Sequence, residues 1–348
     1  MRNMLIREIL GIVVERLKKR LPPSWTLEVL KNDSPDVNAS IEIRGSHRKE
    51  SLRLAVAIKQ VIYPKDVSWM VRKIRQSKIG FPFLIAPFLS PRTRDLLRLE
   101  SANYADLTGN LHLALDKPLV FIETAGAAKS PFTAKRPLAS LKGPVSGRVI
   151  RALCDFKPPF GIRELAARAK ASAASVSRVT DFLEKEAVII KEKSGQVTQV
   201  DWPDLLGRWA QDYSFSRANA IGTCLEPRGL PFLLERLINY AGRYCITGSF
   251  AAAQCIPDAE PSVLWAYAED PGDFIQCMDL QNVESGANVL VAEPFDPVVF
   301  DRLWYWQALT YSAMSQVAVD LLTGPGNSHL EAETLLRWMQ GHEEAWRP

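Results

Sequence analysis

Residues 161–189 read GIRELAARAKASAASVSRVTDFLEKEAVI. This stretch predicts an Ala-rich helix over Gly161–Ala169, a two-residue turn, and a second helix from Ser172 to Lys185. Ser172 is the expected N-cap, because its hydroxyl can accept a hydrogen bond from a backbone N–H of the first turn. The apolar face of the second helix consists of residues at three- and four-residue spacings: Val176, Val179, Phe182 and Leu183. Two helices joined in this way are typical of a helix-turn-helix motif.

The opposite face of the second helix is small and polar. In a DNA-binding helix-turn-helix the second helix enters the major groove, and small side chains let its backbone approach closely. Serine hydroxyls can bind phosphates or base edges, and Arg178 is placed to bind guanine or a phosphate. The predicted DNA-binding residues of this helix are Ser172, Ala173, Ala174, Ser175, Ser177 and Arg178.

A β-hairpin is predicted directly after this helix, with strands Val188–Ile190 and Val197–Val200. Its tip would form a wing, so that Lys191, Lys193 and Gln196 lie against the phosphate backbone of DNA. With a preceding helix over 145–155, this completes a winged helix-turn-helix domain over residues 144–214. Because winged helices also serve as protein docking modules, that alternative stays open.

The composition favours a partner that is a polyanion. Residues 1–214 hold 36 Lys and Arg against 22 Asp and Glu, whereas residues 215–348 hold 7 against 17. Such asymmetry points to nucleic acid for the first part and a different role for the last, although a charge difference that serves solubility alone is the alternative. The five cysteines lack metal-ligand spacing, so we expect buried thiols, no metal and no cofactor. No apolar stretch is long enough to span a membrane, and a cytoplasmic location is expected.

The order of predicted elements in residues 1–126 is helix, three strands, helix and strand, which is that of restriction-endonuclease-like α/β domains. Those nucleases hold Mg²⁺ with paired carboxylates and use a nearby lysine. Asp36 and Lys59 fit half of such a site, and Glu15 could join it, but Ala57 stands where a metal-binding carboxylate is required. We therefore expect an inactive domain and no catalytic residues; a Mg²⁺-dependent DNA nuclease is the alternative.

Residues 127–143 are predicted to be a basic, proline-containing linker, and residues 215–348 an acidic α/β regulatory domain. The stretch YCITGSFAAAQ (244–254) looks like the strand, Gly-Ser and helix of nucleotidyltransferases, but the following strand lacks their paired carboxylates. The third domain is therefore expected to be a degenerate nucleotidyltransferase-like fold, in which Gly248 and Ser249 form a tight turn. One long helix is predicted over Asp296–Leu322.

Residues 161–189 resemble the winged helix of MarR-type bacterial regulators. The chain also resembles the AbiEi family of transcriptional-regulator antitoxins, through YADLTGN (104–110), FIETAG (121–126), ITGSFAA (246–252), GANVLVAEPFD (286–296) and the final helices. That resemblance implies a protein that represses its own promoter on double-stranded DNA. It also implies that the protein opposes a nucleotidyltransferase-like toxin without forming a stable complex. A homodimer is compatible with such a regulator. The sequence as a whole predicts a multi-domain α/β protein.

Overall fold

The computed structural model describes residues 2–31, 34, 36–45, 51–116, 119–132, 140–256 and 261–348, with side chains from residue 6 onward. The chain forms two units: Met1–Pro137 with Lys185–Ala187, and Leu138–Glu184 with Val188–Pro348. Each unit contains a seven-stranded mixed sheet with helices, so the predicted α/β class is confirmed.

The first unit begins with the predicted order of helix, three strands, helix and strand. Its elements are α1 (Arg2–Lys18), β1 (Thr26–Lys31), β2 (Ala39–Arg44), β3 (Ser51–Ile58), α2 (Val67–Gln76), β4 (Phe81–Ala86), α3 (Pro91–Leu99), β5 (Asn103–Asp106), β6 (Leu111–Asp116) and β7 (Leu119–Thr124). The strands lie side by side in sequence order, and only the β3–β4 and β4–β5 pairs are parallel.

The side chains of β3 point alternately to the two faces of the sheet and so contribute to two separate hydrophobic cores. Leu54 and Val56 share a buried cluster with Val13 of α1, whereas Ala57 belongs to a second cluster with Val71 of α2. Because successive strand residues point to opposite faces, α1 covers one face of the sheet while α2 and α3 cover the other. This separation matters for the predicted nuclease residues.

The second unit contains the predicted winged helix and the C-terminal part of the chain. Its elements are α4 (Pro144–Asp155), α5 (Ile162–Arg168), α6 (Ala173–Lys185), β8 (Ile189–Lys191), β9 (Val197–Val200), α7 (Trp202–Ala210), α8 (Phe215–Ala218), β10 (Ala220–Leu225), α9 (Leu230–Leu237), β11 (Tyr244–Thr247), α10 (Gly248–Ala252), β12 (Leu264–Ala268), α11 (Pro271–Met278), β13 (Gln281–Asn282), β14 (Val289–Glu293), β15 (Trp304–Trp306), β16 (Leu309–Tyr311), α12 (Met314–Thr323), α13 (Ser328–Gly341) and α14 (Glu343–Trp346).

A single hydrophobic core extends through this unit from Leu141 to Trp346. The boundary predicted between residues 214 and 215 therefore lies inside one compact unit. The larger sheet has the strand order β13-β10-β14-β12-β11-β16-β15. Part of the predicted linker falls outside the described residues, but Leu141 near its end is fully buried and its N–H donates to Asp212, 3.0 Å away.

The long helix predicted over Asp296–Leu322 is wrong. A short 3₁₀ turn over Pro297–Phe300 is followed by the hairpin β15–β16, and only Met314–Thr323 is α-helical. The hairpin turns at Gln307 and Ala308, which both have positive φ. Aromatic residues favour strands, and Trp304 stacks on Tyr311 with ring centroids 4.3 Å apart, so cross-strand packing outweighs the helical spacing.

Among the described residues, no helix has the length and apolar character needed to cross a membrane. All five cysteines are free thiols. Cys154, Cys224 and Cys245 are buried as expected, whereas Cys277 is exposed.

Candidate DNA-binding surface

The helix-turn-helix has the predicted arrangement. Helix α5 ends at a turn in which Lys170 adopts a positive φ of 46°, and the Ala171 N–H donates to the carbonyl of Ala166. Ser172 then accepts a hydrogen bond from the Ser175 N–H at 3.2 Å, which confirms it as the N-cap of α6. The turn and the cap together fix where α6 begins.

The buried face of α6 is the predicted one. Val176, Val179 and Leu183 are buried in the core of the second unit, and Phe182 is half-buried with the Arg208 guanidinium 4.9 Å from its ring centroid. Burial of three aliphatic side chains holds the helix in one rotational setting, since turning it would bring them into water. The opposite face is therefore directed outward.

Three side chains of the predicted reading face, Ala173, Ala174 and Arg178, are exposed, as is Ser172, whereas Ser175 and Ser177 are half-buried. The Arg178 guanidinium lies back over the first turn of α6, and it donates to the Ala174 carbonyl at 3.4 Å and to the Ser175 Oγ at 3.3 Å. Within the described part of the chain no carboxylate forms an ion pair with it. Two long, exposed hydrogen bonds are readily exchanged for bonds to a phosphate or a base.

The two predicted wing lysines have different surroundings. Lys191 forms ion pairs with Asp181 and, at 3.8 Å, with Glu184, and only 11% of its side chain is exposed. These ion pairs connect the wing to α6. Lys193 is exposed at the tip, where Gly195 turns the chain with a φ of 86°, and Gln196 is half-buried beside it.

A third segment supports the wing, and sequence analysis did not predict it. Phe160, between α4 and α5, exchanges two backbone hydrogen bonds with Val197 of β9, with N···O distances of 2.8 and 3.0 Å. The ring of Phe160 is buried. The β9 edge of the hairpin is thus bonded to the segment between α4 and α5, and the aromatic residue before Gly161 is the sequence signal for this contact.

Two further cations near the motif were not assigned from sequence. Arg163 is exposed in the first turn of α5, and Lys170 has 67% of its side chain exposed but pairs with Asp301 at 3.0 Å. The sequence alone could have indicated both, because Arg163 is the second residue of α5 and Lys170 lies in the turn before α6. Both add positive charge to the surface around α6.

The structure does not bring the predicted nuclease residues into a metal site. Ala57 is buried on the sheet face that α2 covers, and Glu15 lies on α1, at the other face, where it pairs with Lys18 at 3.1 Å. Lys59 is exposed directly after β3, and Asp36 is half-buried. Across the described ranges, no three His, Cys, Asp or Glu side chains are grouped to hold a metal ion.

The Gly-Ser stretch in the second unit, predicted to be a tight turn, instead forms the first two residues of α10, directly after β11. Gly248 has a φ of 66°, and a Cβ there would lie 2.4 Å from the Trp265 ring. The acids after β12 have structural partners: Asp270 caps α11 by accepting the Asp273 N–H at 3.0 Å, and Glu269 pairs with Arg243 at 3.3 Å. Asp270 and Glu269 therefore do not form the pair of carboxylates that a nucleotidyltransferase requires.

The YADLTGN stretch also has a structural role. Asp106 accepts hydrogen bonds from the N–H groups of Leu89, Thr108 and Asn110, and the Asn110 amide donates to its second oxygen at 2.7 Å. Such bonds from short polar side chains stabilise a turn. These residues therefore close the β5–β6 connection of the first unit.

Comparison of the chain with protein-family models, with curated proteins and with solved structures finds no match.

Proposed function

We propose that this protein is a sequence-specific regulator of transcription that binds double-stranded DNA. The observation that carries the proposal is the outward face of α6, where small residues surround Arg178, which forms no ion pair with any carboxylate among the described residues. A helix with that face can enter the major groove, and Arg178 can then bind the O6 and N7 atoms of guanine.

The wing supports the same proposal. Lys193 is exposed beside the reading helix, and the bonds of Phe160 to β9 hold the hairpin in place. A lysine so placed adds a phosphate contact, which contributes affinity without sequence preference. The surface thus offers one group for reading bases and one for positioning the duplex.

The proposal also assigns roles to the other parts of the chain. The first unit has the strand and helix order of a restriction-endonuclease-like domain, and we interpret it as a scaffold without catalysis because of Ala57. Residues 215–348 would be a degenerate nucleotidyltransferase-like regulatory region. The resemblance to AbiEi antitoxins then suggests repression of the protein's own promoter and opposition to a nucleotidyltransferase-like toxin without a stable complex. A homodimer would bind two half-sites of an operator.

Fluorescence anisotropy with the full chain tests this function. Labelled duplexes from the region upstream of its own gene are compared with shuffled duplexes of the same base composition, over a series of salt concentrations. A specific regulator binds the upstream duplex at least about 10³-fold more tightly than the shuffled one. Equal affinity for both duplexes, or no binding to either at low salt, would overturn the proposal.

A further inference from the structure

A cleft of about 270 Å³ in the second unit has cationic side chains at five of its ten lining residues. It lies between α4, the end of α5 and the segment that follows the 3₁₀ turn over Pro297–Phe300. The cations at its wall are Arg148, Arg151, Arg168, Lys170 and Arg302, and the carboxylates are Asp155 and Asp301. Glu164 and Asp296 pair with Arg168 and Arg148 from beside the cleft, so five cations stand against four carboxylates and a net positive charge remains.

Arg151 is buried and fully engaged by the protein. Its Nε and Nη2 bind Asp155 at 3.0 and 2.9 Å, its Nη1 donates to the Val298 carbonyl and to Gln316, and Nη2 also donates to the Asp301 carbonyl. Asp155 is neutralised in the same contact. Arg151 and Asp155 are therefore not the groups that would bind a ligand. Their bonds instead hold the walls of the cleft in place.

Two of the other cations are positioned by one aromatic ring. The guanidinium carbons of Arg168 and Arg302 lie 4.2 and 5.0 Å from the ring centroid of Phe156. Arg168 also pairs with Glu164 at 3.0 Å, whereas Arg302 forms no ion pair within the described part of the chain. Cation–π contacts orient a guanidinium without removing its charge, so both retain donors for an anion.

Lys170 and Arg148 complete the wall next to the reading helix. The Lys170 ammonium is held by both oxygens of Asp301 at 3.0 and 3.1 Å. Arg148 donates to the Lys170 carbonyl at 2.8 Å, and its Nε lies 3.5 Å from Asp296. Both cations thus contact the turn that directly precedes the N-cap of α6.

We propose that this cleft binds a small phosphate-bearing molecule. Arginine forks match the oxygens of a phosphate, and the volume is near the lower end of ligand sites, of roughly 300–1,000 Å³. A dianion competes with Asp301 for Lys170 and thereby acts on the turn before Ser172. The effect on DNA affinity rests on the proposed function, whereas binding of the anion does not.

Titration calorimetry of the full chain with inorganic phosphate, against chloride at equal ionic strength, tests the binding. Arg302→Gln should weaken phosphate binding roughly three- to tenfold, and Asp301→Asn should tighten it by a similar factor, since Lys170 is then released. The Asp301 carbonyl that Arg151 needs remains in that variant. Arg337→Gln is the matched control, because it alters an exposed arginine that donates hydrogen bonds to Glu333 and Thr334 of its own helix.

Two results would overturn the proposal: equal phosphate affinity in Arg302→Gln and the control, or weaker binding by a folded Asp301→Asn variant. A second arm adds phosphate to the complex with the upstream duplex at constant ionic strength. If phosphate binds but the affinity for DNA does not change, only the proposed coupling between the cleft and α6 is rejected. Phosphate binding without any DNA binding rejects the proposed function and leaves the anion site intact.

Discussion

At the residue scale, Arg178 is the side chain on which specific DNA binding should depend most. Arg178→Ala removes the guanidinium while the aliphatic face of α6 stays buried, so the fold is unaffected. We expect operator binding to weaken by about 1–3 kcal/mol, the size of one lost bidentate contact to a base, and discrimination between operator and shuffled DNA to fall with it. Anisotropy titrations of both duplexes measure this effect.

The control for that measurement is Arg337→Ala, which deletes an exposed arginine on α13 and should leave both affinities unchanged. If Arg178→Ala binds the operator as tightly as the unaltered protein does, α6 is not the helix that reads the DNA sequence.

The two wing lysines should behave differently. Lys193→Ala removes an exposed charge, so the slope of log K against log salt should flatten by about one unit for operator and shuffled DNA alike. Lys191→Ala removes a charge already paired with Asp181 and Glu184 and should change the slope little. Binding titrations of both variants over a series of salt concentrations measure these slopes. A larger change of slope in Lys191→Ala than in Lys193→Ala would show that the wing lies differently against DNA.

Asp320 should make stability depend on pH. It is fully buried and accepts hydrogen bonds from Thr247, Tyr213, Tyr267 and Gln316. Burial raises its pKa to about 6, against the lowering effect of hydrogen bonds from Thr247 and Gln316. Because the folded pKa lies above the unfolded one, the contribution is full below the unfolded value and is lost as pH rises through about 6.

Asp320→Asn cannot titrate, so the stability of the unaltered protein relative to this variant should fall by on the order of 3 kcal/mol between about pH 4 and pH 7. Urea unfolding of both proteins at the two pH values measures the difference, in which the other titrating groups cancel. A difference that stays constant with pH would contradict the assignment.

At the scale of elements, the sequence predicts well wherever one periodicity dominates. The apolar spacing of Val176, Val179 and Leu183 and the cap at Ser172 were sufficient to locate α6. Between residues 296 and 322 the same spacing was misleading. There the turn at Gln307 and the stacking of Trp304 on Tyr311 depend on contacts that form only once the chain has folded back.

Buried polar contacts between distant elements explain why the reading helices and the C-terminal sheet share one unit. Arg151 of α4 donates to Gln316 of α12 at 3.1 Å, and Asp155 accepts from Ser315 of the same helix. The partners are about 160 residues apart in sequence. Neither spacing nor composition of one chain reveals such pairs, and the same holds for the ion pairs of Lys191 with Asp181 and Glu184.

The isolated segment 140–214 should consequently be much less stable than the full chain. Removing the remainder leaves Arg151 and Asp155 without several partners and exposes the ring of Trp209. Circular dichroism should show no cooperative thermal transition for the segment, whereas the full chain should unfold cooperatively. A segment that melts at the temperature of the full chain would show that α4 to β9 fold independently.

At the scale of the whole molecule, the distribution of charge agrees with the proposed binding of DNA. Residues 140–200, around α6, hold 11 Lys and Arg against 6 Asp and Glu, whereas residues 215–348 of the same unit hold 7 against 17. Under the proposed function, the first region would attract a duplex and the second would repel it. The charge would thereby favour encounters at the face of α6.

The first unit, which we propose to be a nuclease-like scaffold, should show no nuclease activity. Metal-dependent cleavage requires at least two carboxylates close to one cation. Ala57 is apolar and buried at one such position, and Glu15 lies at the other face of the sheet in an ion pair with Lys18. Asp36 alone gives a divalent ion too few charged ligands. The full chain should therefore neither nick nor cut plasmid DNA with Mg²⁺ or Mn²⁺ in an agarose-gel assay.

Restoring one carboxylate should not create a nuclease. Ala57→Asp buries a charge in the apolar cluster that contains Val71 of α2, so this variant should lose stability before it gains activity. The informative comparison is between the unaltered protein and Asp36→Ala or Lys59→Ala, both near the surface. Metal-dependent cleavage by the unaltered protein that disappears in either variant would replace the scaffold interpretation of this unit with a catalytic one.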